Sequence, residues 1–481
     1  MRLLRGVYEG PGSHGILRVA ASMKGVHAVL RALPGEGYFP ALYGARERTG
    51  EAAPVSLSPL SERAEDSWGP GDLARDLSSV VRRHPGTEAV ILARSEAALL
   101  SEEEIPEISF PEEGGRTPKL VTCDWEDPGV GEVEAADLAL EDLVRAHARG
   151  KHERNERSPS PTVNLFGPPV FGPGAAAEYA EAERLLTLIG VGINTRVPLG
   201  ASVGDLGRLS RAWVNVLLYR EVGESATLYL QDEFGMQRVT TPMVGAAGTG
   251  AALRTIGELC HLDPKKVQQA VWAELARTAK LPWYARLYRP ETFRERRVAI
   301  FGDFTYPLGL GYALSREVGL EVVACGTYLG HLERDFLFHA HTFTDEAFVE
   351  DDPEEVAARI EASDPDLVVG THLEEGVADS LGVPFLPLCP PVVRNTFVQR
   401  PLMGYTGSSI LADALDGGLG PMEREPVPVE AAGMPWAEEA REELAQTPPF
   451  LRGRARRLAE DRARELGSTE VTREIFLGSR R

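Results

Sequence analysis

The sequence predicts three Rossmann-like α/β domains built on parallel sheets, followed by a small helical module. Three observations predict this. Short apolar runs bounded by turn residues alternate with amphipathic helical stretches, as in strand–helix–strand units. Two polar, proline-punctuated stretches interrupt the alternation, RGKHERNERSPSP at 149–161 and PMEREPVPVEAAG at 421–433. At 481 residues the chain exceeds one hydrophobic core and suits roughly three domains. The expected units are 1–150, 162–290, 291–420 and a C-terminal helical module at 434–481.

The first unit opens with YEGPGSHGILRVAASMKGVHAVLRALPGEGY. A glycine-rich turn (Gly10, Pro11, Gly12, Gly15) is expected to feed a helix whose apolar positions are Leu17, Ala20, Ala21, Val26, Val29 and Leu30. A second turn, Leu33 to Gly37, presents Glu36 between two glycines. It is either an ordinary surface turn or a loop that offers a carboxylate to a metal centre or a partner chain. Residues 40–87 read as irregular. AVILAR (89–94) and KLVTCD (119–124) read as strands, Ser95–Ala98 as a loop-to-helix junction, and 133–148 as an amphipathic helix.

In the second unit TVNLFG is expected to be a strand, followed by a helix over 175–189. INTRVPLG, WVNVLLYRE and a helix near Ser225–Phe234 complete the alternation, with 267–288 as a helical connector. The third unit alternates strands at 298–301, 320–324, 366–372 and 383–389 with helices at 353–362 and 375–381. Its strand ends, Gly302-Asp303, Gly326-Thr327 and Gly370-Thr371, are expected along one carboxyl edge, where such sheets bind ligands. GDFTYPLGLG is not a dinucleotide fingerprint, and no GxxxxGK[ST] occurs in the chain. In 400–420, GYTG is expected to lead into a helix and then a glycine-rich turn able to wrap a large flat ligand or a neighbouring subunit.

Charge narrows the function classes. The 51 basic and 72 acidic residues give −21, which argues against nucleic acid or anionic lipid as a main partner. No stretch approaches the roughly 18 apolar residues that span a bilayer, and the N-terminus lacks a signal-peptide run. A cytoplasmic protein is expected. Cys123, Cys260, Cys325 and Cys389 are far apart and read as small buried apolar residues. They cannot supply four local thiolates to an iron–sulfur cluster. His339 and His341 are the one close histidine pair. On a strand they share a face and could hold a metal, though no further ligand stands beside them.

Taken in order, YEGPGSHGILRVAASMKGVHAV, VNLFGPP, RAWVNVLLYREVG, LPWYAR, VAIFGD, EVVACGTYL, DLVVGTHLE and PLMGYTGSSIL resemble the B subunits of light-independent (dark-operative) protochlorophyllide reductase. These are relatives of the nitrogenase MoFe-protein subunits. MPWAEEAREEL, PPFLRGRARRLAE and EVTREIF resemble that family's C-terminal module. The resemblance runs nearly end to end and is weakest at 40–87 and 333–350.

The resemblance implies a heterotetramer of two N and two B subunits. It also implies a [4Fe-4S] cluster shared with the N subunit and a separate L protein that hydrolyses ATP and delivers electrons. Protochlorophyllide is the implied substrate, reduced at one ring double bond in the dark during (bacterio)chlorophyll synthesis. The family's B subunit supplies one aspartate to the cluster, and Glu36 occupies that position here. Gly418 and Leu419 fall, through a gapped match, on the family's pigment-contacting loop.

Several positions depart from the family pattern. Ser95 stands near a family cysteine. Arg289 replaces an aspartate proton donor, and arginine stays protonated far above neutral pH. Glu291 is close enough in sequence to substitute. Gly302-Asp303-Phe304-Thr305-Tyr306 lacks the family's histidine, and a second family histidine falls near Arg394. These departures leave three readings open: the reductase subunit, a non-catalytic tetrapyrrole-binding or scaffolding relative, or a reductase of another macrocycle.

Overall fold

The computed structural model describes residues 7–36, 54–60, 70–101, 103–110, 112, 117–123, 129–148, 157–169, 174–279, 293, 296–391, 400–419, 434–447 and 449–479. Within them lie three sheets, all with parallel pairing. The first comprises β1 (Val26–Ala32), β2 (Val55–Pro59), β3 (Ala89–Arg94) and β4 (Lys119–Thr122), in the order β2-β1-β3-β4. The second comprises β5 (Thr162–Phe166), β6 (Gly192–Val197), β7 (Val214–Leu217) and β8 (Gln237–Val239), in the order β6-β5-β7-β8. The third comprises β9 (Arg297–Gly302), β10 (Glu321–Thr327), β11 (Ala347–Val349), β12 (Leu367–Gly370) and β13 (Phe385–Pro387), in the order β11-β10-β9-β12-β13.

Each order reverses direction once, between β1 and β3, between β5 and β7, and between β9 and β12. Those are the topological switch points, where loops from adjacent strands diverge and leave a crevice at the carboxyl edge. The registers Thr327↔Gly302 and Val369↔Ile300 align the three predicted strand ends of the third sheet on that edge.

Apolar runs form the central strands because helices cover both faces. Every residue of β1 is buried, as are all four of β7 and of β12. One continuous apolar cluster joins the three sheets, while Leu73, Leu77, Val80 and Phe110 belong to a smaller cluster with β1 and β3 residues. The tail forms three helices, Glu438–Gln446, Pro449–Glu465 and Arg473–Gly478, around its own core of Trp436, Ala459, Val471 and Phe476. Trp436 Nε1 donates to Glu460 Oε1 at 3.1 Å, so its polar edge is satisfied as its ring is covered. Arg456 is exposed.

Five expectations need correction. The first helix is only Gly12–Ser22, and Val26, Val29 and Leu30 lie on β1. A short β-branched run in which every residue is buried suits a strand, and helical spacing alone did not separate the two. Gly12 and Gly15 sit inside that helix rather than in a turn. A Cβ on Gly15 would stand 2.0 Å from the Glu132 carbonyl oxygen, so glycine permits close packing against the Glu132–His147 helix.

The stretch 40–87 also contains β2 and the helix Pro70–Arg83. His339 lies in the last turn of the helix Glu333–Ala340 and His341 follows it, so the pair lacks the shared strand face. A two-residue step on a helix turns about 200°. Finally, the helix Gly404–Leu419 runs through Gly418 and Leu419, where a glycine-rich turn was expected. His27 lies on β1, bonded to Ser56 Oγ at 2.9 Å and stacked on His84.

Candidate functional site

Glu36 stands just past the carboxyl end of β1, beside the first switch point. Its turn closes through Glu36 N–H to Leu33 O at 3.2 Å, and Leu33 N–H donates to Glu36 Oε2 at 2.7 Å. Gly35 takes φ +103°, which a side chain would strain. Pro34, Gly35 and Glu36 are exposed. The carboxylate is thus presented outward on a short tether from a buried strand.

That tether is anchored by Arg31, which the apolar pattern of β1 would not call for. Its guanidinium makes paired bonds to Glu103 at 2.8 and 2.7 Å, and it also donates to Ser58 Oγ and Pro59 O. The backbone carbonyl of Arg31 accepts from Ser95 N–H at 2.9 Å. Ser95, at the end of neighbouring β3, is buried and caps the Glu96–Leu100 helix through Ala98 N–H at 3.4 Å. The fold therefore brings Glu36 and Ser95 to one edge, with Ser95 in a capping role. Arg289, Glu291 and Arg394 lie outside the described residues. Gly418 and Leu419 occupy the last turn of the Gly404–Leu419 helix.

The start of that helix is tied to the second sheet. Glu178 and Glu181 project three residues apart from the Ala175–Leu188 helix. Glu178 accepts from Leu402 N–H and Met403 N–H at 2.8 and 2.9 Å, and Glu181 accepts from Thr406 N–H at 3.1 Å. Carboxylates at a helix N-terminus satisfy its free donors and complement its dipole. Burial nevertheless pushes Glu178 up to about 7.

The other two switch points face each other. Glu221 follows β7, Asp303 follows β9 and Glu374 follows β12, and all three are buried. Glu221 accepts from Phe304 N–H at 2.7 Å, from Thr305 N–H and from Thr305 Oγ1 at 2.6 Å. Asp303 Oδ1 accepts weakly from Tyr306 N–H at 3.3 Å, while Oδ2 has no partner among the described residues. Tyr8 Oη donates to Glu374 Oε1 at 2.7 Å, and its ring stacks on Tyr328. Burial raises all three carboxyls above the usual range, and Glu221 raises Asp303 further.

Sequence reasoning singled out Asp303 only as a strand end and missed Glu221 and Glu374. The signal was present: each carboxylate follows an apolar strand by four residues or fewer, in LLYREVG, FGDF and GTHLE. The four cysteines are free and buried, as expected. No group of three or more His, Cys, Asp or Glu suited to a metal occurs among the described residues. No described helix is long and apolar enough to cross a membrane.

A family profile described as Nitrogenase component 1 type Oxidoreductase matches residues 12–419, and one described as Proto-chlorophyllide reductase 57 kD subunit matches 436–477. The light-independent protochlorophyllide reductase B subunit of Chlorobium limicola is 31% identical over 99% of this chain and 98% of its own. The chain belongs to that B-subunit family, within the nitrogenase component 1 type oxidoreductases. The corresponding B subunit of Gloeothece citriformis is 27% identical over 100% of this chain and 99% of its own. A solved structure described as Nitrogenase Cp1 at pH 6.5 overlays with a TM-score of 0.70 at 14% identity, covering 87% of this chain and 94% of that one. It shares the fold. Membership makes this chain an oxidoreductase component, and the resemblance read from its motifs holds end to end.

Proposed function

We propose that this chain is the B component of an ATP-dependent, ferredoxin-linked complex that reduces a ring double bond of protochlorophyllide in the dark, in (bacterio)chlorophyll synthesis. The observation that supports it most is the end-to-end match to B-subunit relatives, which includes the tail at 436–477. The units of the chain are 1–150, 162–290, 291–420 and the 434–481 module, and the complex is cytoplasmic.

The residues present fit one share of a [4Fe-4S] cluster held jointly with an N subunit. Glu36 offers one exposed oxygen donor, and hard oxygen donors bind iron. The four buried cysteines belong to the packed interior, so thiolate ligands come from the partner. When bound, the cluster supplies single electrons. This chain's own part is to hold the Glu36 turn on the Arg31 anchor and to fix the Gly404–Leu419 helix, where Gly418 and Leu419 contact the pigment. ATP is hydrolysed on the L protein, in keeping with the missing phosphate-binding motifs here. Two N and two B subunits complete the assembly.

The test is anaerobic co-purification with the cognate N subunit, followed by iron analysis and dark turnover with the L protein, ATP and protochlorophyllide. Wild type should hold about four irons per N–B pair and turn over. Glu36→Ala should lose iron while still binding the N subunit. Full iron retention in Glu36→Ala removes Glu36 from the ligand set, and an iron-free wild-type complex removes the cluster.

A further inference from the structure

At the junction of the second and third sheets, two crevices of the kind that bind ligands are pressed together and closed with the protein's own acids. Asp303 and Glu221 meet there, at 0% and 1% exposure. Around Asp303 stand Tyr219 from the end of β7, Tyr306 from the helix Thr305–Ala313, Tyr328 after β10 and Cys389 after β13. Glu178 approaches through Tyr306 Oη at 3.3 Å. Glu374 faces Tyr8 and Cys389 from the β12 side. Arg220, beside Glu221 in sequence, turns away to Glu224 and Asp335 and lies over the Phe304 ring at 5.0 Å.

The two carboxyls are not equivalent. Glu221 collects three donors, which is the environment of an ionised carboxylate. Asp303 receives one long backbone bond and interacts with the Tyr219 hydroxyl, and its Oδ2 receives no hydrogen bond among the described residues. A buried ionised oxygen left bare costs far more than a neutral hydroxyl left bare, so the protonated form is favoured. A second negative charge beside Glu221 would be costlier still.

We infer that Asp303 Oδ2 is a built proton-binding site, and that the second and third sheets are joined by a neutral Asp303 set against an ionised Glu221. The neutral acid lets the two switch points close on each other with no cation between them among the described residues. Releasing that proton puts two like charges in one dry junction and loosens it. This inference stands apart from the proposed reductase activity, because it concerns the chain's own interior.

The test is infrared difference spectroscopy of the full chain, wild type against Asp303→Asn, titrated from neutral to mildly alkaline pH in light and heavy water. A buried protonated-carboxyl band, isotope-sensitive and present at neutral pH, should appear in wild type and vanish in Asp303→Asn. Glu221→Gln removes the neighbouring charge without touching Asp303. It should leave a band that titrates away at lower pH than in wild type, by about one unit or more. Identical bands in wild type and Asp303→Asn overturn the assignment. So does a Glu221→Gln midpoint equal to or above that of wild type, a result that stands even if Asp303→Asn does not fold.

Discussion

Tyr8 and Glu374 are 366 positions apart in the chain, and the Tyr8 hydroxyl donates to the Glu374 carboxylate at 2.7 Å with both side chains buried. The bond ties the segment that enters the first sheet to the loop that leaves β12 of the third. Glu374 also accepts from Thr371 N–H at 2.6 Å, so its loop is pinned from both sides.

Tyr8→Phe removes the hydroxyl and leaves the ring stacked on Tyr328, whose centroid lies 5.2 Å away. The buried carboxylate then loses that side-chain donor and keeps those from Thr371. The expected cost is about 1–3 kcal/mol, read as a lower urea midpoint with an unchanged slope. A midpoint equal to wild type would mean that water replaces the hydroxyl at no cost.

Glu178 gives a pH dependence with a definite sign. Its folded-state value of about 7 lies above the ordinary 4.5 because burial outweighs three hydrogen bonds. The folded chain therefore holds a proton that the unfolded chain releases. The stability from this group is complete below about 4.5 and is lost as pH rises to about 7, on the order of 3 kcal/mol across the window. Glu178→Gln should flatten that part of the stability–pH curve. Parallel curves for the variant and wild type would remove Glu178 as the source.

The Arg31–Glu103 pair lies with side-chain exposures of 4% and 7%. Glu103→Ala strands a buried guanidinium and should cost about 3–5 kcal/mol. It should also speed amide exchange at Ser95 and Leu33, the two donors that root the Glu36 edge. Replacing both partners together, Arg31→Met with Glu103→Leu, should recover most of the stability. A double variant as unstable as Glu103→Ala would show that the loss comes from packing rather than from the stranded charge.

Gly15→Ala probes the contact between the helices Gly12–Ser22 and Glu132–His147. The added methyl meets backbone, at 2.0 Å from Glu132 O and 2.7 Å from Ala136 N, which cannot rotate aside. The expected loss is about 1–3 kcal/mol in thermal or urea unfolding. Unchanged stability would mean that the two helices slide apart freely.

Much of the fold was legible because parallel strands buried on both faces write themselves as apolar runs. AVILAR, TVNLF and RVAIFG are such runs, and the Pro353–Ala362 and Glu375–Leu381 helices fall where the periodicity put them. Where the code was ambiguous the reading failed. VHAVLRA carries both a helical and a strand pattern, and the helix Pro70–Arg83 is masked by the polar composition around it.

The sequence by itself determined the layered α/β class, the helical tail, the buried cysteines and the family, since each is written in local pattern and ordered motifs. Tertiary structure alone decided which polar residues act together. It brought Asp303 against Glu221, seated the Gly404–Leu419 helix on Glu178 and Glu181, and rooted the Glu36 turn on Arg31. The Arg31–Glu103, Asp303–Glu221 and Glu181–Thr406 pairings join positions 72 to 225 residues apart. They depend on how the sheets pack, and a carboxylate's partner, burial and proton follow from that packing rather than from its neighbours in the chain.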